Sequence, residues 1–252
     1  MTPPRTRWGE LFGTGKPILA MLHLGGDTRV DKLSRAQQEA RDLVAGGVDG
    51  IIVENYFGDH DDVRAVLEWL AASPQQVAIG VNVLRDFELA FRLASEFPVD
   101  FIQLDSVAGH LPEADDRTFE ARLAELRGAT DAAVLGGVRF KYQPVLSKRS
   151  EAEDLEIAML RCDAIVVTGE GTGLETSLDK TSRFRSTVGA EFPLVVGAGI
   201  TDANIRSQLD NADGVIVGSF LKNTYRDDGV VDPFHVAQLV AAAAQAEEVG
   251  HR

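Results

Sequence analysis

The chain holds a single cysteine, Cys162, among its 252 residues. That excludes an internal disulfide framework and a cysteine-built zinc site, and it points to a reducing, cytoplasmic setting. No stretch approaches the roughly 18 consecutive apolar residues that a membrane span needs. Residues 1–16 lack the apolar core of a secretory leader. Positive charge is scarce: 25 Lys and Arg against 39 Asp and Glu leave a net charge of −14. Such an acidic chain repels a phosphate backbone, and Trp8 and Trp69 sit in no stacking pattern, so nucleic acid is not expected as a partner. No histidine pair has zinc spacing, and Asp59–His60–Asp61–Asp62 reads as the charged start of a helix. No metal site or cofactor is predicted. A divalent cation is left open, should folding bring His23, Glu54 and Asp105 together.

What the chain does have is a rhythm. Short β-branched runs recur at Ile18–His23, Gly50–Glu54, Ala78–Asn82, Asp100–Leu104, Val134–Phe140, Ala164–Thr168, Leu194–Gly197 and Gly214–Val217. Helical periodicity fills the intervals, from Leu33–Ala45 and Asp61–Ala71 through to Pro233–Ala244. The runs are nearly continuously apolar, as strands covered on both faces are. Eight βα units in a chain of this length predict one closed, parallel, eight-stranded (β/α)8 TIM barrel. It occupies residues 1–252, with 1–16 as an N-terminal extension and 245–252 as a C-terminal tail. Ser34 with Gln37, and Ser150 with Glu153, read as capping boxes. Gly46–Gly47 closes the first long helix, Asp232–Pro233 opens the last, and Gly109–Asp116 reads as a polar excursion. An open, doubly wound sheet would place a glycine fingerprint after its first strand. Here that strand ends in His23–Leu24–Gly25–Gly26.

Glycine pairs come late instead. Gly197–Ala198–Gly199 ends the seventh run and Gly218–Ser219 the eighth. In a barrel these turns lie side by side at the functional face, and glycine lets consecutive N–H groups approach one anion. Gly197, Gly199, Gly218 and Ser219 are therefore the candidate phosphate-binding residues. Thr168–Gly169–Glu170–Gly171–Thr172–Gly173 has the composition of a mobile lid or an extra donor loop.

Polar groups stand where the other strands end: His23, Glu54 with Asn55, Asn82, Asp105, Lys141 and Thr168. In a closed barrel these positions converge on one mouth. Glu54, Asp105 and Lys141 are the candidate catalytic residues: an acid/base, its polar partner and an electrostatic stabiliser. His23, Asn55, Asn82 and Thr168 are the candidate substrate contacts. The alternative for the whole set is an ion-pair network that merely closes the barrel mouth.

The blocks Ala20–Leu24, Gly46–Asp59, Gly80–Arg85, Ala164–Gly173 and Ala212–Ser219 resemble the BtpA/SgcQ family, and the likeness covers nearly the whole chain. The resemblance implies a phosphate-binding TIM barrel. It also implies a link, in photosynthetic members, to photosystem I biogenesis and peripheral thylakoid attachment. Where the family commonly has a Lys-His pair, this chain has Lys141–Tyr142, which leaves the lysine and removes the histidine. Phosphoribosylanthranilate isomerase activity is not expected, because that enzyme looks for a cysteine at the end of the first strand. The expected function is an enzyme acting on a small phosphorylated metabolite, with isomerase, lyase and hydrolase chemistry all open. The alternatives are a BtpA-like assembly factor and a phosphometabolite-binding subunit, either of which could be a homo-oligomer.

Overall fold

The computed structural model describes residues 7–249, with side chains through residue 244. The eight apolar runs become strands β1 (Ile18–Leu22), β2 (Gly50–Glu54), β3 (Ala78–Asn82), β4 (Phe101–Ala108), β5 (Ala133–Val138), β6 (Ala164–Thr168), β7 (Leu194–Gly197) and β8 (Gly214–Val217). All pairs are parallel, and β8 pairs with β1 to close the barrel in sequence order. Helix α1 (Arg7–Phe12) precedes β1. The outer ring is α2 (Arg29–Gly46), α3 (His60–Ala72), α4 (Phe87–Glu96), α5 (Glu113–Gly128), α6 (Glu151–Arg161), α7 (Leu178–Val188), α8 (Ile205–Leu209) and α9 (Pro233–Val249). Helix α9 thus runs past residue 245, where the sequence suggests a tail. Among the described residues, no helix is long and apolar enough to cross a membrane.

Strand alternation splits the apolar residues into two cores. Outward-facing Ile51, Val53, Ile102 and Val167 pack against the helices. Inward-facing Leu19, Met21, Ile52, Phe101, Val166 and Ile216 fill the barrel. Helix α1 closes the barrel from below: Trp8 is buried, its ring 4.6 Å from Phe12, and Phe12 meets Phe101 edge-on at 6.3 Å. The N-terminal extension is therefore in part a plug.

Two helices start well before their expected positions for one reason, while β1 stops at Leu22, β4 runs on to Ala108 and β5 covers Ala133–Val138. Ser34 and Gln37 do not open a helix. α2 begins at Arg29, capped by a reciprocal box between Thr28 and Asp31. Likewise α5 begins at Glu113, inside the predicted polar excursion. Both helices start with polar turns, exposed in α2 and including the buried, arginine-paired Asp116 in α5, so apolar periodicity appears only further along each helix. The Ser150–Glu153 box and the left-handed Gly47 at φ 90° are as predicted.

The lower rim carries a fourfold repeat. An aspartate precedes each even-numbered strand and accepts the N–H of a residue at the start of the odd-numbered strand before it. The pairs are Asp49 with Ile18 (2.8 Å), Asp100 with Ile79 (2.7 Å), Asp163 with Val134 (2.8 Å) and Asp213 with Leu194 (2.8 Å). In each case the aspartate's own N–H donates back to the same residue's carbonyl. These reciprocal clamps lock neighbouring strands in register two by two.

Candidate functional site

The alternation that fills the barrel also aims its upper rim. Continuing the inward phase of β1, β2, β3, β4 and β6 by two residues reaches His23, Glu54, Asn82, Asp105 and Thr168. The four side chains His23, Glu54, Asp105 and Thr168 line a cavity of about 950 Å³ at the mouth, together with Lys141. Asp105 owes its place to an irregularity. The β4–β5 register shifts between Leu104 and Ala108, opposite Gly136–Gly137. A Cβ on Gly137 would lie 1.9 Å from the Asp105 carbonyl oxygen, so only glycine lets the bulged strand pass.

Asn82 joins the two carboxyl groups. Its Nδ2 donates to Glu54 Oε1 at 2.8 Å and to Asp105 Oδ1 at 3.2 Å. Burial pushes the Glu54 carboxyl up to about 8, the charge of Asp105 adds to that, and Lys141 and the Asn82 bond oppose it. Asp105 is also raised by burial, against the Asn82 bond and Lys141. Lys141 is lowered by burial, against the pull of Glu54 and other acidic neighbours.

His23 completes the group. Burial, aided by Lys222, lowers it to about 4. Its Nδ1 lies 3.3 Å from the Asp227 carbonyl oxygen, and its Nε2 lies 3.7 Å from Glu54 Oε2. A carbonyl only accepts, so the ring proton belongs on Nδ1 and the Nε2 lone pair faces Glu54. Near neutral pH the pair is therefore a protonated acid beside a neutral imidazole, not an ion pair. Among the described residues, no group of three or more His, Cys, Asp or Glu is arranged to hold a metal ion.

Across the mouth, Gly197, Gly199, Gly218 and Ser219 line the same cavity. The β7 turn holds Ala198 at φ 84° and Gly199 at φ 69°. Asn204 braces it, donating to the Gly199 carbonyl at 2.8 Å and accepting the Thr201 N–H at 2.8 Å. A Cβ on Gly199 would lie 2.3 Å from the Glu175 backbone, so the loop after β6 passes directly against this turn. A Cβ on Gly218 would lie 3.0 Å from the His23 ring, and one on Gly173 would lie 3.5 Å from Ser219 Oγ. The loops after β6, β7 and β8 thus meet beside His23, and a short 3₁₀ turn, Ser219–Leu221, follows Gly218.

Two candidates lie behind the cavity surface. Asn82 is buried and acts on Glu54 and Asp105. Asn55 accepts the Leu84 N–H at 2.7 Å and so ties down the turn after β3. Thr168 accepts the Lys141 N–H at 3.2 Å, and its carbonyl accepts Lys180 Nζ at 2.7 Å. Cys162 is buried below the barrel's sixth strand, far from the mouth.

Other residues join the site without having been singled out. Gln103 stands two residues before Asp105 on the same inward phase, a signal the alternation of β4 did contain. Its Oε1 is buried with no partner among the described residues. Tyr142 is held at φ 63°, and its hydroxyl accepts the Thr172 N–H at 2.7 Å, linking the β5 and β6 loops. Asp227 acts through its backbone carbonyl, which no side-chain pattern announces.

The BtpA family model matches residues 14–245, and the chain belongs to that family. It is 29% identical to the photosystem I biogenesis protein BtpA of Synechocystis sp., over 94% of this chain and 91% of that one. It is 30% identical to an uncharacterized protein of Pyrococcus horikoshii, over 82% of this chain and 88% of that one. Among solved structures it resembles orotidine 5'-phosphate decarboxylase from Pyrococcus horikoshii. The TM-score is 0.62 at 14% identity, covering 90% of this chain and 99% of that one, a likeness of fold.

Proposed function

We propose that this member of the BtpA family is an enzyme that acts on a small phosphorylated metabolite. The phosphate is held by the turns at Gly197–Gly199 and Gly218–Ser219. Proton transfer occurs across the mouth at Glu54, with His23 facing it. The observation that carries this reading is the buried Glu54 carboxyl 3.7 Å from Nε2 of a buried His23, at the wall of an open cavity. Burying a titratable pair without neutralising it by ion pairing costs stability, and such groups cluster where proton transfer is needed. Asp105, sharing Asn82 with Glu54, keeps the acid's proton on by its charge, and Lys141 stabilises negative charge developing on the substrate. Glu54 makes its closest polar contacts with Asn82 at 2.8 Å and His23 at 3.7 Å, and both Glu54 and Lys141 line the open cavity, which supports chemistry over a sealed scaffold.

Support for the phosphate comes from the convergence of two glycine turns on strands seven and eight, the usual phosphate position of this fold. The named phosphate substrate of the decarboxylase that shares the fold agrees with it. The second reading, an assembly factor without chemistry, rests on the name of the Synechocystis relative. Isomerisation, lyase chemistry and hydrolysis each fit one buried acid and one facing base.

The test is a thermal-shift screen of phosphorylated metabolites, with mass spectrometry of any stabilising compound after incubation. Once turnover is found, Glu54→Gln should lower it by roughly 10²- to 10⁴-fold and leave phosphate affinity unchanged. An unchanged kcat would remove Glu54 from the chemistry. A screen in which dephosphorylated compounds stabilise as well as their phosphates would remove the anion site.

A further inference from the structure

Arg85 has no part in the chemistry above, yet it is conspicuously placed. It ends the Gly80–Arg85 block that carries part of the family likeness, and it lines the central cavity. It sits at φ 67°, a left-handed conformation that is sterically unfavourable for a residue with a side chain. Several bonds hold the turn there. Asn55 Oδ1 accepts the Leu84 N–H at 2.7 Å, the Asp86 N–H donates to the Val83 carbonyl at 3.2 Å, and Asp86 caps α4 through the Leu89 N–H at 2.9 Å. Glu54 and Asn55 thus divide their work: the first faces the cavity, and the second fixes the turn that presents Arg85.

Lys141, the other cation lining the cavity, is drawn toward Glu54, Asp105 and Asp227, whereas Arg85 makes no ion pair among the described residues. In a chain with a net charge of −14, a guanidinium without a carboxylate partner at the mouth is a local site for an anion. Its position is specific. In a closed ring of eight strands in sequence order, β3 lies diametrically opposite β7. The Arg85 backbone therefore stands across the mouth from the β7 glycine turn, on the opposite wall of the cavity that both line.

We propose that Arg85 forms a second anion subsite facing the glycine turns, so that the substrate is a phosphorylated metabolite with a second anionic group at its other end. That group is a carboxylate or another phosphate, and a planar fork of N–H donors suits either. The ligand spans the mouth, anchored at both its sides, with its middle between Glu54, His23 and Lys141. This rests on the phosphate reading above, which supplies the first anchor.

The test uses inorganic phosphate as the first probe, followed by NMR on the full chain. The amides of Gly199 and Ser219 report the glycine turns, and the Leu84 amide and Arg85 Nε–H report the opposite side of the mouth. Both sets of signals should shift with phosphate, and Arg85→Gln should abolish the second response alone. Fructose 1,6-bisphosphate should then bind about tenfold more tightly than fructose 6-phosphate, and 3-phosphoglycerate more tightly than glycerol 3-phosphate if the second group is a carboxylate. Arg85→Gln should erase whichever preference is found. If the Gly199 and Ser219 signals move while those of Arg85 stay fixed, and singly and doubly anionic probes bind equally, the second subsite is wrong and the phosphate anchor stands. If neither set moves, the phosphate anchor itself is wrong.

Discussion

The two rims of this barrel are built from the same strands but to different standards. Below, four aspartate clamps repeat around the ring, and where the backbone turns left-handed it does so at Gly13, Gly47 and Gly189. Above, all six left-handed residues with side chains among the described residues, from Leu24 and Arg85 to Ala198 and Tyr225, lie in the loops that follow strands. The buried acid and imidazole with displaced titrations are there too. The lower rim pairs its strand starts through the four clamps, and the upper rim keeps backbone strain and buried groups whose titration is displaced. That is the division expected when one face of the barrel holds it together and the other does chemistry. Mutations at the two rims should therefore have opposite signs on stability, and each prediction below tests that.

The largest effect is expected at Glu54, as a function of pH. Its carboxyl titrates near 8 when folded and near 4.5 when unfolded. The folded chain holds a proton that the unfolded chain has released, so stability falls as pH rises through that window, by about 1.4 kcal/mol per unit. Glu54→Gln should remove that slope, leaving the variant less active yet several kcal/mol more stable at pH 8 and above. His23 opposes it in an overlapping window. It titrates near 4 when folded against 6.5 when unfolded, so its contribution is complete above pH 6.5 and is lost as pH falls toward 4. The two slopes cancel between about pH 4.5 and 6.5, so the net fall due to Glu54 lies between pH 6.5 and 8. Urea unfolding from pH 4 to 9 reads it, and Glu54→Gln should unmask the opposite His23 limb below pH 6.5. A Glu54→Gln chain with the same fall between pH 6.5 and 8 as its parent would show that the acid is not held neutral.

The lower rim should respond in the ordinary direction. Asp163 is buried, accepts the Val134 N–H at 2.8 Å and also pairs with Arg127 at 3.1 Å. Asp163→Ala strands that N–H and the arginine, and should cost about 2–3 kcal/mol. Asp100 makes the same clamp at the exposed edge of the ring, where water can replace it, so Asp100→Ala should cost about 1 kcal/mol. Equal losses at both positions would mean that the clamps contribute through register alone, independently of burial.

The clamps also show what could be read beforehand. The barrel was legible because eight apolar runs at regular spacing leave few other folds, and five of the eight strands begin and end where the runs do. The convergence of His23, Glu54, Asp105, Lys141 and Thr168 on one cavity was legible because strand ends in a closed barrel meet there. The clamps were present as an aspartate before every second strand, in Val48–Asp49–Gly50 and Ala212–Asp213–Gly214 among others. A polar residue at a strand start reads as a turn, however, and its reach to the neighbouring strand needs the register. Asn55 and Arg85 were obscured for a similar reason. Both stand at strand ends, but which of them touches the cavity depends on a turn bond between β2 and β3 that has no sequence signature.

The smallest expected effect separates the rims most cleanly, because it uses single methyl groups. Ala198 is left-handed at φ 84° within the anion turn, and Gly189 is left-handed at φ 78° below β7 with nothing within 4 Å of where its Cβ would lie. Removing a Cβ from a left-handed position relieves steric strain that exceeds the added freedom of the unfolded chain, and adding one does the reverse. Ala198→Gly should therefore stabilise the chain by up to about 1 kcal/mol, and Gly189→Ala should destabilise it by about 1 kcal/mol or more, because ψ 174° puts Gly189 in a region that only glycine enters readily. The functional response should invert as well. Ala198 holds the turn in the conformation that presents Gly199, so Ala198→Gly should weaken phosphate binding through lost pre-organisation, and Gly189→Ala should leave it unchanged. Paired urea melts and phosphate titrations read both quantities. If Ala198→Gly loses stability, the upper turn carries no strain, and the contrast between the rims reduces to their charges.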